Sequence, residues 1–114
     1  MKLSRISELL TCEVLSCFDK LDGDIRSCMS SDMMSDVLAF ANPGSLLLTG
    51  LTNSQSVRTA AIADAGAIVY LRGKKPDKQT IELAEQLSIP LMCTDLGMFE
   101  ACGILHKEGL TGIC

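Results

Sequence analysis

The sequence predicts an α/β fold with a mainly parallel sheet, and three observations predict it. Apolar runs at residues 45–49, 67–71 and 90–93 recur with helix-patterned stretches between them, each of about the length a parallel crossover needs. The run Ser45-Leu46-Leu47-Leu48-Thr49 lacks the alternation of a half-solvated strand, as expected for a strand covered on both faces. With 114 residues, 47% hydrophobic and 21% charged, the chain is long enough to bury one core and too apolar to stay disordered. The expected architecture is a single domain over residues 1–114, a βαβαβα unit with helices packed on the sheet, preceded by an N-terminal helix and short strands.

In chain order, Ser4 is placed to cap a short helix whose Ile6, Leu9 and Leu10 recur at helical spacing. Residues 11–16 read as a β-like piece with Cys12, Val14 and Ser16 on one side, Asp22-Gly23-Asp24 as a turn, and residues 25–29 as a second short strand. Met34, Val37, Leu38 and Ala41 then fall at i, i+3, i+4 and i+7, the stripe of an amphipathic helix. Ser30 or Ser31 is positioned to cap it, Asp32 suits the positive end of its dipole, and Asn42-Pro43-Gly44 stops it.

The central run at 45–49 leads to a helix over 55–64, whose small inner face of Val57, Ala60 and Ala61 permits close approach to a sheet, and which Ala65-Gly66 ends. After the strand at 67–71, Asp77 is placed to cap a helix with Ile81, Ala84 and Leu87 inward and Lys78, Glu82 and Glu85 in water. The strand at 90–93 precedes a last helix, with Asp95 as its cap and Met98, Ala101, Cys102 and Leu105 as its apolar stripe. Gly109 follows its basic last turn of His106 and Lys107, and residues 110–114 read as a free tail.

With S-D-M-M-S-D-V-L-A at 31–39, T-G-L-T-N-S at 49–54, A-A-I-A-D-A-G-A-I-V at 60–69 and K-P-D-K-Q-T-I-E-L-A at 75–84, residues 30–110 resemble the DRTGG domain family. Where members carry Asp-Arg and then Thr-Gly-Gly, this chain has Asp22-Gly23 and Arg26-Ser27-Cys28, whose side chains fill the space that paired glycines leave open. The resemblance implies a regulatory or accessory module, similar to the N-terminal domain of HPr kinase/phosphorylase. It implies no catalytic residue.

Charge and composition exclude several classes. Fourteen acidic against ten basic residues leave a net charge of -4, with no general attraction for a nucleic-acid backbone. Met1 to Leu10 lacks the apolar run of a signal peptide and no run approaches a membrane span, so a cytoplasmic protein is expected. Cys12, Cys17, Cys28, Cys93, Cys102 and Cys114 form no C-x-x-C pair, and reduced, mostly structural thiols are expected.

In an open parallel sheet, ligands collect beyond the carboxyl ends of the strands, where three loops are expected here. The first carries Thr49, Gly50, Thr52, Asn53 and Ser54 ahead of a helix N-terminus, a seat for phosphate or carboxylate that equally suits simple capping. It lacks the spacing of a Walker loop. The second, Arg72-Gly73-Lys74-Lys75, places cations that suit a nucleotide phosphate or a solvated turn. The third, Cys93-Thr94-Asp95, sets a thiol near a helix N-terminus, which lowers a cysteine pKa unless burial raises it. Cys102 and His106 lie four apart on one helix face, two ligands where a closed zinc site needs more, and Asp32 and Asp36 read as a solvated edge; neither a metal nor catalytic acid-base chemistry is expected.

Three functional readings follow. The leading one is a non-catalytic regulatory or accessory domain that binds a small anionic ligand, such as a nucleotide, at Thr49, Gly50, Thr52, Asn53, Ser54, Arg72, Lys74, Thr94 and Asp95, with or without a protein partner. The second is a homodimerisation or interaction module without ligand, using adaptable surface at Met29, Met33, Met34 and Met98. The third is a thiol or metallocentre accessory protein.

Overall fold

The computed structural model describes residues 1–113, so Cys114 lies outside the described residues. The first helix, α1 (Leu3–Leu9), buries Leu3 and Ile6. Ser4 lies within it and Lys2 takes the N-cap position, a correction to the expected cap. The physical reason is a long-range one, since the amides of Leu3 and Ser4 donate to the carbonyls of Gly23 and Leu21, both at 2.9 Å. The short strand β1 (Glu13–Val14) and a single 3-10 turn (Phe18–Lys20) follow, then β2 (Ser27–Ser30).

Helix α2 (Met34–Phe40) buries Met34 and Val37, while Leu38, expected on the same stripe, is exposed. A seven-residue helix on the sheet has room for one narrow row of contacts, and Leu38 falls outside it. Met33 holds its N-cap position; the Ser31 hydroxyl accepts the Met33 amide at 3.0 Å, two residues too early to cap. Strand β3 (Leu46–Thr49) is buried throughout.

The two middle helices are capped as their sequences suggest. In α3 (Ser54–Ile62) the Asn53 side chain accepts the Ser56 amide, and after β4 (Ala67–Tyr70) the Asp77 carboxylate does the same for Thr80 at the start of α4 (Lys78–Gln86). Leu87, expected inward, caps the C-terminus of α4 where the helix leaves the sheet, and is exposed.

Strand β5 (Leu91–Cys93) leads to α5 (Met98–Lys107), which has Gly97 rather than Asp95 at its N-cap. The residues expected as a free tail instead bury Leu110 and form β6 (Thr111–Gly112), an edge strand held beside β2.

The sheet order is β1-β5-β4-β3-β2-β6, with β2 to β6 parallel and β1 antiparallel to β5. From β2 to β5 each crossover advances one strand in the same direction, so crossovers of one hand place α2, α3 and α4 together on one face. The return from β5 to β6 runs the other way across the sheet, and the same hand puts α5 on the opposite face, where α1 joins it.

The core divides accordingly. Leu46, Leu48, Val69 and Met92 pack with Ile6, Ala101 and Leu105, whereas Leu47, Ile68, Tyr70 and Leu91 pack with Val37, Val57, Ala60 and Ala84. The continuous apolar run at Leu46, Leu47 and Leu48 thus serves both layers, each fully buried leucine contributing on the order of 2 kcal/mol. Among the described residues, no helix is long and apolar enough to cross a membrane.

Candidate functional site

The loops that leave β3, β4 and β5 share one rim because those strands are parallel neighbours in register, Thr49 opposite Tyr70 and Tyr70 opposite Cys93. Backbone bonds tie the loops together. Leu71 donates to the Thr49 carbonyl at 3.1 Å, Arg72 to Leu96 at 2.8 Å and Gly73 to Thr94 at 2.9 Å. Arg72 and Gly73 both adopt left-handed φ, 60° and 70°, which turns the chain back toward the first loop.

A fourth loop reaches the same rim and carries the residue that reasoning from sequence misplaced. Asp32, expected to serve the dipole of α2, follows β2, which pairs in parallel with β3 and so ends at the same edge. Its Oδ1 accepts the Thr49 hydroxyl at 2.9 Å and the Gly50 amide at 2.7 Å. The Gly50 bond does most to hold the Asp32 carboxyl below the usual carboxylate range against the opposing effect of burial, with help from Thr49 and from the charges of Arg72 and Lys74.

Gly50 is where close approach dictates the residue. A Cβ there would lie 2.6 Å from Arg72 Nη2 and 3.5 Å from Asp32 Oδ1, so its absence lets the guanidinium settle over the turn. Lys74 Nζ donates to the Gly50 carbonyl at 3.4 Å. Thr49, Gly50, Arg72, Lys74 and Asp32 therefore form one cluster with two cations and one carboxylate, a net single positive charge in a chain of net charge -4.

The other expected site residues lie apart from that cluster. Asn53 is committed to capping α3, and with Ser54 it lines a groove between α3 and α4 shared with Arg58, Asp77 and Gln79. Thr52 is half-buried in the loop between. Thr94 is buried, donating its hydroxyl to the Leu10 carbonyl at 2.6 Å and accepting the Leu96 amide at 3.3 Å. Asp95 stands over Gly73, its Oδ1 3.1 Å from where a Cβ would be, and lines a cleft of about 370 Å³ with Cys12, Glu13, Lys75 and Cys93.

That cleft opens between the loops after β4 and β5, whose following helices go to opposite faces, the switch point at which open α/β sheets commonly bind ligands. Here Lys75 is paired with Glu13 at 2.7 Å. Burial, aided by Glu13, pushes the Cys93 thiol up, and burial with Cys93 nearby pushes Cys12 to about 12. The helix whose N-terminus would oppose that rise at Cys93 begins only at Met98, so burial prevails. Both thiols are protonated at neutral pH.

On the opposite edge, burial drives Cys28 to about 12 beside Cys102, whose Sγ lies 2.8 Å from the Ser30 hydroxyl. Both thiols are half-buried and pack against the core beneath α5.

Fold and rim together define a two-faced α/β domain with a charged cluster at the carboxyl edge of its sheet. No protein-family model matches the chain, and no curated protein sequence matches it. Among solved structures the fold is shared with the crystal structure of the CBS and DRTGG domains of the regulatory region of Clostridium perfringens pyrophosphatase, complexed with its activator diadenosine tetraphosphate, at a TM-score of 0.77 and 18% sequence identity. The match covers 91% of this chain and 45% of that one, so this chain spans less than half the length of its neighbour. At that identity the likeness is one of fold, and the fold is the one that the resemblance at residues 31–39, 49–54, 60–69 and 75–84 implies.

Proposed function

We propose that this chain, residues 1–114, is a non-catalytic regulatory or accessory domain that binds a small anionic ligand, a nucleotide above all, at the carboxyl rim of its sheet. The observation that supports it most is the convergence of the Arg72 guanidinium and the Lys74 ammonium on the turn at Thr49 and Gly50. Two cations held over main-chain donors at a helix-bearing edge suit a phosphate in a protein that otherwise repels anions. The neighbouring regulatory region was crystallised with an adenosine-based activator, which agrees with a nucleotide as ligand class.

The test is thermal unfolding with ATP, AMP and a diadenosine polyphosphate at millimolar concentration, since a ligand that binds only the folded chain raises Tm by mass action. At least one should raise it, and the double variant Arg72→Gln, Lys74→Gln should keep the basal Tm while losing the response. A flat response across the panel overturns ligand binding.

A second reading, self-association, has its own support. Met33 at the N-cap of α2, Leu38 on α2 and Ile62 at the end of α3 are 61%, 50% and 76% exposed, and the two helices pack side by side. Isolated exposed apolar residues need no explanation, but three on adjacent helices suit a twofold contact. Sedimentation at micromolar concentration should give a dimer that Leu38→Glu with Ile62→Glu converts to monomer; a monomeric wild type rules this reading out.

A further inference from the structure

We propose that Asp32 is a tethered anion seated where a ligand's phosphoryl group binds, and that it restricts the rim to anions able to displace it. The inference rests on the rim being the anion site proposed above. Asp32 Oδ1 takes one backbone N–H, from Gly50 at 2.7 Å, and one hydroxyl, from Thr49 at 2.9 Å, the same pair of donors that a phosphoryl oxygen accepts. Arg72 Nη2 and Lys74 Nζ stand over the same turn.

Donors and acceptor differ in how firmly they are held. Thr49 and Gly50 are buried, and the Thr49 hydroxyl is further fixed by the Leu51 amide at 3.2 Å. Asp32 sits on an exposed loop ahead of α2, which begins only at Met34. The carboxylate is thus the piece that swings away while its donors stay in place.

Displacement decides which ligand succeeds. An incoming monocarboxylate offers the same charge as Asp32 and competes with a group whose effective concentration is raised by its tether, so it fails. A phosphate monoester or polyphosphate terminus brings more charge to Arg72 and Lys74 and prevails. The exchange balances, with Gly50 and Thr49 passing their two hydrogen bonds from one anion to the other.

Asp32→Asn is the direct test, because the amide oxygen still accepts from Gly50 and Thr49 while the charge is gone. Titrated with inorganic phosphate and with acetate by calorimetry, the variant should bind phosphate about tenfold more tightly than the wild type, the size of one unit charge removed at contact range in a partly aqueous site. It should also acquire acetate binding, and adding Arg72→Gln with Lys74→Gln should cancel both gains. If the wild type binds phosphate and Asp32→Asn binds it no better, the tethered-anion role is overturned while the rim remains an anion site. If neither binds at tens of millimolar, both fall. A measurement independent of the variant's folding is the Gly50 amide resonance of the wild type during phosphate titration, which shifts if Asp32 is displaced and stays fixed if it is not.

Discussion

The two ends of the sheet are built in different ways. At the amino ends of β3, β4 and β5 the links are uncharged: Gly44 donates to Asp64 at 2.7 Å, Gly66 to Ser45 at 2.7 Å and Ile68 to Pro90 at 3.0 Å along the main chain, and the Ser16 hydroxyl accepts the Leu91 amide and donates to the Ile89 carbonyl, both at 2.8 Å. At the carboxyl ends, side chains make several of the decisive links, Asp32 to Thr49 and Gly50, Lys74 to Gly50, and Thr94 to Leu10. The hollow at the amino end, about 450 Å³, exceeds the 370 Å³ cleft at the other, and both linings sum to one negative charge, from Lys20, Asp24 and Asp64 in the first and from Glu13, Lys75 and Asp95 in the second. Charge therefore singles out neither hollow but the turn at Thr49 and Gly50, where Arg72 and Lys74 outweigh Asp32. An anion is drawn by charge, and an end joined by ionisable side chains responds to ligand and pH where an uncharged closure does not.

Matched glycine substitutions give the sharpest way to break this comparison. A Cβ on Gly66 would lie 2.9 Å from the Gly44 carbonyl oxygen and 2.7 Å from Ile25 Cδ1, whereas one on Gly50 meets the far end of the flexible Arg72 side chain at 2.6 Å. Neither glycine has positive φ, so the contrast is one of space alone. Gly66→Ala should cost about 2–3 kcal/mol in urea unfolding, because backbone must move, and Gly50→Ala less than about 1 kcal/mol, because Arg72 turns aside. The second variant should instead lose the nucleotide-induced rise in Tm. Equal costs at the two positions would erase the distinction between a closed end and an adaptable one.

Thr94 tests the boundary within the carboxyl end itself. Its hydroxyl is buried and bridges the Leu10 carbonyl and the Leu96 amide, so Thr94→Val leaves both without that partner and should cost about 2 kcal/mol. Ligand response should survive, measured as the Tm shift of the variant relative to its own baseline. A variant of unchanged stability that no longer responds would move Thr94 from scaffold to site.

What the sequence made legible was local. Unbroken apolar runs marked β3, β4 and β5, Asp77 marked the start of α4, and the placement of those strands brought three of the four rim loops together on paper. Asp32 was misplaced because its role depends on β2 lying parallel to β3, a pairing that the four half-buried residues of β2 do not announce through periodicity. Ser31-Asp32 just after a strand, one crossover ahead of Thr49-Gly50, was the signal available. Residues 110–113 were missed for a similar reason, since a two-residue strand has no period to read and its partner β2 lies more than eighty residues earlier. Leu38 and Leu87 fit the helical stripe by spacing and still face water, because spacing does not say where a short helix runs off the sheet.

The smallest expected effect is the one that isolates the charge on Asp32. Its carboxyl titrates below the ordinary value of 3.8 in the folded chain, chiefly through the Gly50 amide, so the unfolded chain binds the proton more readily. The resulting stability is fully present above the unfolded value and is lost as pH falls through the folded one. Asp77, held low by the Thr80 amide, acts with the same sign at the start of α4, so part of the acid limb will remain in any Asp32 variant. For an exposed carboxylate, solvent screening limits the effect to below about 1 kcal/mol. Chemical unfolding between about pH 5 and pH 2 should therefore show a shallower decline for Asp32→Asn than for the wild type, and high salt should narrow the gap by weakening the contributions of Arg72 and Lys74 but not that of Gly50. Superimposable acid limbs would mean that the Gly50 and Thr49 donors do not hold the carboxylate in its charged form, and the contrast between the two ends of the sheet would then rest on Arg72 and Lys74 alone.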